Sequence, residues 1–315
     1  MTMRIKEIGE FGLIDEIRKL ILSGDGVVVG IGDDAAVLTS AREGMYDLLT
    51  TDMLVEGTHF DLSQATPYQL GWKALGCALS DIAAMAGVPR VAVASLGIRG
   101  ETSVDFCREL YSGMNDVGGR FGCGIVGGDT VGSSRGLVIS VAVLGEVEIA
   151  SLTLRSGAEP GDELWVTGTL GGSLDGKHLS FMPRLKEAKF IVNRLRVKAM
   201  IDLSDGLAGD LHRLAEASNV GFRVKSELIP LNREAIGDVD ERTALHKALY
   251  DGEDFELLFA AGSSGNAAEF REEFRSRFDC GITLIGEAVP GSRGVSIVKE
   301  ETEEPLREAG FSHFD

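Results

Sequence analysis

One arrangement recurs along this chain: a run of apolar residues, then small residues, then aspartate. It is seen in VVVGIGDD (residues 27–34), LLTTD (48–52), GIVGGD (124–129) and AMIDLSD (199–205). Short apolar runs bounded by glycine read as strands. In α/β sheets the loops beyond the carboxyl ends of strands line the ligand crevice. Asp33, Asp34, Asp52, Asp129, Asp202 and Asp205 would then converge on one region. Taken singly, each reads as readily as a turn or helix cap, as Asp205 does just before Leu207. Taken together they suit Mg²⁺, which prefers hard oxygen ligands shared between carboxylates and substrate phosphates.

Asp81 extends the set. It falls in a helix predicted to start at Pro67, with Thr66 as cap, Gln69 completing a capping box, and Gly87 and Pro89 as stop signals. Its helical neighbours Cys77, Ala78, Ala84 and Met85 include no Lys or Arg. A carboxylate among small apolar groups is exposed, paired at a distance, or bound to metal. Gly127 and Gly128 beside Asp129 offer backbone N–H groups without Cβ obstruction, a surface phosphates use; a tight turn between strands explains them equally.

The remaining pattern alternates strands and helices. Helices are predicted over residues 11–23, 104–119, 184–195, 207–218 and 267–278. Strands are predicted over 27–31, 35–38, 47–51, 91–98, 137–144, 163–167, 199–202, 255–260, 282–285 and 295–298, with a short buried strand at 124–126. The class is therefore α/β or mixed α+β. Residues 146–161 lack a period and contain Gly157, Pro160 and Gly161, so we draw two domains, 1–148 and 149–315. The acid run 299–305 reads as a solvated surface segment.

Composition bounds the function. Of 315 residues, 49 are acidic and 31 basic, a net charge of −18, which argues against a nucleic-acid binder that neutralises phosphates with Lys and Arg. No apolar stretch reaches membrane-helix length, and no signal peptide is visible in residues 1–10. Cys77, Cys107, Cys123 and Cys280 form no CxxC pair, which excludes a disulfide framework and a standard zinc site. The expected location is the cytoplasm.

Two phosphate-loop patterns are decoys. Residues 30–35 match GxGxxA, with Asp52 suitably downstream, but Asp33 and Asp34 would repel a pyrophosphate and no helix follows. Residues 171–177 (GGSLDGK) match GxxxxGK, but His178 replaces the Ser or Thr that would hold Mg²⁺.

The stretches GEFGLI (9–14), GIGDDAAVL (30–38), TTDMLVEGTHF (50–60), GWKALGCALSDIAAMAG (71–87), GGDT (127–130), LRSGAEPGDELWVTGTLG (154–171), IDLSDGLAGDL (201–211) and GEDFEL (252–257) occur in one order across nearly the whole chain. In them the chain resembles the thiamine-monophosphate kinase family, part of the ATP-binding superfamily that includes aminoimidazole ribonucleotide synthetase. The resemblance implies a two-domain fold, with the N-terminal domain binding ATP and Mg²⁺ and joining two subunits in a homodimer, and the C-terminal α/β domain completing the site. It implies ATP-dependent phosphorylation of thiamine monophosphate to thiamine diphosphate with several Mg²⁺ ions.

Carried over by motif, the metal ligands are Asp34, Thr50, Thr51, Asp52, Asp81, Asp129, Asp202 and Asp205, of which Asp52, Asp81 and Asp129 form the catalytic set. Gly128, Asp129, Arg155 and Ser204 match ATP-contacting positions; His59, Glu253 and Phe311 match thiamine-substrate positions. Residues 181–184 (FMPR) lack the first Arg-Pro pair of the family's RP-x-PR stretch, which leaves the course of that connection open. No general base is assigned, because the acceptor phosphate oxygen is already anionic; metals and Arg serve to bring two polyanions together.

Competing readings are an aminoimidazole ribonucleotide synthetase-like ligase and a non-catalytic nucleotide-binding regulatory protein. A selenophosphate synthetase would need a reactive Cys near the N-terminus, and a hydrogenase-maturation relative a Cys-bearing tail; neither is present.

Overall fold

The computed structural model describes residues 4–22, 24–237, 239–263, 265–311 and 313–314. In the first half, α1 (Ile5–Arg18) precedes β1 (Val27–Val29), β2 (Ala36–Thr39) and β3 (Met45–Val55). Then follow α2 (Pro67–Ala84), β4 (Val88–Ile98), α3 (Val104–Arg120), β5 (Gly124–Gly132) and β6 (Val138–Glu148). The strands form a six-stranded sheet in the order β1-β2-β3-β6-β4-β5, antiparallel except where β4 runs beside β5.

The second half runs through β7 (Glu163–Thr167), α4 (Leu185–Arg194), β8 (Val197–Asp202), α5 (Leu207–Ser218), β9 (Val220–Lys225) and α6 (Arg233–Ile236). It continues with α7 (Glu241–Tyr250), β10 (Leu257–Ala261), α8 (Ala267–Arg275), β11 (Ile282–Pro290), β12 (Val295–Lys299) and β13 (Thr302–Pro305). Its seven-stranded sheet has the order β13-β12-β9-β11-β7-β10-β8. Two sheets with helices packed against them make a mixed α/β fold. No helix among the described residues is long and apolar enough to cross a membrane.

α2 is the central helix. Thr66 accepts from the Gln69 N–H, and Gln69 reaches back to the Thr66 N–H at 3.0 Å, so the capping box forms as the sequence indicates. Its end differs from expectation. Ala86 takes the left-handed position (φ 55°), the Gly87 N–H returns to the Ile82 carbonyl, and Pro89 lies inside β4. α3 crosses α2 at backbone contact: a Cβ on Gly71 would lie 1.8 Å from the Leu110 carbonyl, and one on Gly113 would lie 1.9 Å from that of Tyr68. α2 also packs on β3, β6, α4 and β8. Trp72 Nε1 donates to the Phe181 carbonyl at 2.6 Å, and Phe181 stacks on Phe255 with ring centroids 4.1 Å apart. One buried cluster therefore runs from Leu48, Leu75 and Ile82 through to Trp165, Met200 and Phe259.

Other elements depart from expectation. The first helix starts at Ile5, breaks at Gly9 (φ 66°) and ends at Arg18, leaving Leu20 and Leu22 exposed; predicted residue 23 lies outside the described residues. The segment expected as a short buried strand is β5, a nine-residue edge strand with Val126 65% exposed. The acid run is exposed as expected but forms β13, joined to β12 by Glu300 and Glu301, both at positive φ.

Candidate active site

Three carboxylates meet where the two sheets approach. Asp34 comes from the turn before β2, Asp81 from the last turn of α2, and Asp202 from the end of β8. Each offers an oxygen within 4.8 Å of the others. Thr50, on the α2-facing side of β3, donates to Asp81, and Ser80 Oγ donates to Asp202 Oδ2 at 2.6 Å. Arg155 bonds Asp34 Oδ1 twice, from Nε at 3.1 Å and Nη2 at 2.6 Å, and its backbone N–H bonds Asp33.

The cluster is under-compensated. Burial, then the charge of Asp52, push the Asp81 carboxyl well above the usual range; burial and then Asp34 do the same to Asp202. Burial raises Asp52 to about 6, and burial with Asp34 raises Asp33 to about 7. Asp34 Oδ2 and Asp52 Oδ2 are buried with no hydrogen-bond partner among the described residues. With one oxygen from each carboxylate within 4.8 Å of the others, Asp34, Asp81 and Asp202 would be able to share one small hard cation. The chemistry of the donor set fits a hard cation.

Of the other implied metal ligands, Thr50 and Asp52 border this cluster, whereas Thr51, Asp129 and Asp205 are not part of it. In β3 the side chains of Thr50 and Asp52 face α2, whereas Thr51 faces outward and is exposed. Register aligns Met53, Ser140, Ser95 and Asp129 in one row, so Asp129 shares the outer face with Thr51. The β3 and β5 strands are three strand spacings apart, about 14 Å. Asp129 accepts from the Thr130 N–H. Gly128 lies inside β5 and not in a turn, and the Ala94 carbonyl fills its Cβ position at 1.8 Å. Its glycine is thus required by strand contact. Asp205 does not cap α5, because Gly206 holds the cap position; its carboxylate takes Arg213 Nη2 at 2.5 Å. The Ser204 carbonyl accepts the Glu253 N–H at 2.7 Å.

The three implied substrate residues form a second group. His59 Nδ1 accepts the Val55 N–H at 3.0 Å, and its ring lies 6.3 Å from Phe311 and 5.0 Å from His313. Burial, then His313 and Lys73, lower the His59 pKa, which favours neutral imidazole. Glu253, at a strained φ of 57°, has both carboxylate oxygens 2.7 Å from Lys73 Nζ. Beside this group opens a cavity of about 530 Å³, lined by His59, Asp61, Gln64, Asp175 and His178 among others.

Lys73 and Ser80 escaped the sequence reading, and Asp33, part of the recurring aspartate pattern, is not among the ligands carried over by motif. A signal existed: Lys73, Cys77, Ser80 and Asp81 are spaced i, i+4, i+7, i+8, one face of α2. The decoys resolve as expected. β2, not a helix, follows the Gly30–Ala35 turn, and Lys177 bonds the Thr169 carbonyl and Glu256. Residues 181–184 run under the 252–256 loop, with Arg184 forked onto Glu256.

Against known proteins, residues 32–147 match the model of the AIR synthase related protein N-terminal domain, and residues 159–299 that of its C-terminal domain. The chain is 34% identical to the thiamine-monophosphate kinase of Bacillus subtilis (strain 168), over 97% of this chain and 99% of that one. It is 36% identical to that of Aquifex aeolicus (strain VF5), over 82% and 87%. A solved structure of AaThiL complexed with AMPPCP and TMP superposes with a TM-score of 0.82 at 32% identity, covering both chains fully. A HypE–HypF complex shares the fold, with a TM-score of 0.71 at 20% identity over 94% of this chain and 99% of that one. The chain belongs to the AIR synthase related family, on its thiamine-monophosphate kinase branch.

Proposed function

We propose that this chain transfers the γ-phosphoryl group of ATP to thiamine monophosphate, giving thiamine diphosphate, with several Mg²⁺ ions, as a homodimer in the cytoplasm. The observation that carries the reading is the convergence of Asp34, Asp81 and Asp202, with buried oxygens of Asp34 and Asp52 left unpartnered. The kinship with enzymes of that name, and a neighbour complexed with an ATP analogue and TMP, supply the substrates.

Asp34, Asp52, Asp81 and Asp202 would hold Mg²⁺; when bound it offsets phosphate charge and the charge that develops in transfer. Arg155 fixes Asp34 and stands within the site as a cation. Thr50 and Ser80 orient the carboxylates they bond. His59, Phe311 and Glu253 lie where the organic part of the acceptor would bind, next to the cavity. No residue needs to take a proton from the acceptor, since its phosphate oxygen is already anionic. Thr51, Asp129 and Asp205 remain in the ligand set by resemblance, and Gly128 and Ser204 in the ATP-contacting set. Residues 1–148 and 149–315 would act as the two domains. The dimer reading is supported by the outer face of the first sheet, where Leu49, Met53 and Val93 are exposed on neighbouring rows.

The test is a coupled assay with ATP, Mg²⁺ and candidate acceptors. Formation of thiamine diphosphate from thiamine monophosphate is expected. Its absence, with turnover of formylglycinamidine ribonucleotide instead, overturns the reading. Sedimentation measures the dimer.

A further inference from the structure

The most completely satisfied charge near the acceptor site is Lys73. Its side chain has no solvent exposure, and all three ammonium donors are used: Glu253 Oε1 and Oε2, both at 2.7 Å, and the His59 carbonyl at 2.9 Å. These partners come from different places. Lys73 is in the second turn of α2, His59 lies just beyond β3, and Glu253 sits 180 residues away in the loop before β10. Glu253 is held at a left-handed φ of 57°, and Phe255, two residues on, at 50°. Non-glycine residues persist there only when surroundings over-determine them. Lys73 supplies that restraint for Glu253 from one side, and the Ser204 carbonyl from the other.

We infer that Lys73 is a positioning residue for the acceptor, setting His59 and Glu253 in one geometry across the two halves of the chain. The inference rests on the reading of those two residues as acceptor contacts. It also changes the role of Glu253: its charge is balanced by Lys73, so the carboxylate directs the acceptor through its remaining lone pairs and not as a free anion drawing in a cation. Lys73 makes no bond to the acid cluster among the described residues, so its loss should act on the acceptor more than on ATP.

The experiment compares wild type, Lys73→Met, Lys73→Arg and the double variant Lys73→Met/Glu253→Gln. Kinetics are measured with thiamine monophosphate and with ATP varied separately, and melting temperature is measured alongside. The expected result for Lys73→Met is a KM for thiamine monophosphate raised about tenfold or more, with the KM for ATP changed less than about twofold. The double variant recovers melting temperature, because no buried charge is left unpaired, but does not recover the acceptor KM. Lys73→Arg restores part of the acceptor KM. Parallel rises in both KM values, or recovery of the acceptor KM together with stability, would mean a purely structural lysine and overturn the inference. A wild type that neither binds nor phosphorylates thiamine monophosphate overturns the functional reading beneath it.

Discussion

The carboxylates of the acid cluster and those of the 252–256 loop are both largely buried, yet they meet different neighbours. In the loop, Glu253 faces Lys73, and Asp254 accepts the Gly171 N–H at 3.0 Å and the Ser173 hydroxyl. Glu256 receives Thr167 Oγ1 at 2.8 Å, Arg184 through a fork at 2.6 and 2.7 Å, and Lys177 at 3.1 Å. Burial alone would raise the Glu256 pKa, but Arg184 and Lys177 outweigh it and the net shift is downward. In the acid cluster Asp81 and Asp202 have one hydroxyl donor each and repel their acidic neighbours. Glu256 is compensated by cations, whereas Asp81 and Asp202 are left with an uncompensated buried charge.

The largest expected effect of breaking this contrast is on turnover. Asp81→Asn and Asp52→Asn should each lower kcat by about 10²-fold or more while leaving metal-free stability equal or higher, since each removes a disfavoured buried charge. Steady-state kinetics with urea unfolding would show it; a loss of stability as great as the loss of activity would erase the distinction. Asp129→Asn sharpens it. A comparable drop in turnover would extend the metal site to the outer face of the sheet, and unchanged kinetics would confine it to the inner cluster.

The opposite outcome is expected in the loop. Glu256→Gln should destabilise the fold by about 3 kcal/mol, the cost of leaving Arg184 buried without its partner. The double variant Glu256→Leu/Arg184→Met should sit closer to wild type than either single change, as urea unfolding of the four chains would reveal.

Mg²⁺ gives a smaller effect with a defined sign. Asp33 and Asp52 titrate near 7 and 6 in the fold, above about 4 in the unfolded chain. Their contribution is fully present below about pH 4 and is lost as pH rises through 6 and 7, so these two groups weaken the metal-free protein across that window. Mg²⁺ needs the ionised forms and should raise the melting temperature more at pH 8 than at pH 5.5. Equal shifts at both pH values, or a full shift in Asp81→Asn, would count against the cluster as its site. At the bottom of the scale, Arg42→Ala removes an exposed bridge to Glu146 and should change stability by less than about 0.5 kcal/mol.

Much of this was legible because it is local. The Thr66–Gln69 box, strand β7 and helix α5 follow from spacing and capping that neighbouring residues settle among themselves. Asp81 stood out because its own helix offered it no cation. What stayed hidden depends on contacts beyond a helical turn: Gly206 in place of Asp205 as the cap of α5, with Asp205 bonded to Arg213, and the Lys73–Glu253 contact across 180 residues. β9 was missed because VGFRVK starts immediately after α5 and is interrupted by Gly221. α7 was missed although Asp240 caps it through the Thr243 N–H and Ala244 and Ala248 lie four apart on its buried side, a readable pattern.

The position of α2 has a consequence for how the protein comes apart and how it moves. Its apolar residues belong to the same buried cluster as Trp165, Met200 and Phe259 from the other sheet, so no seam of water separates the two halves. They should melt in one cooperative transition rather than one after the other. A wide hinge opening would have to expose that shared interior, at a cost comparable to partial unfolding.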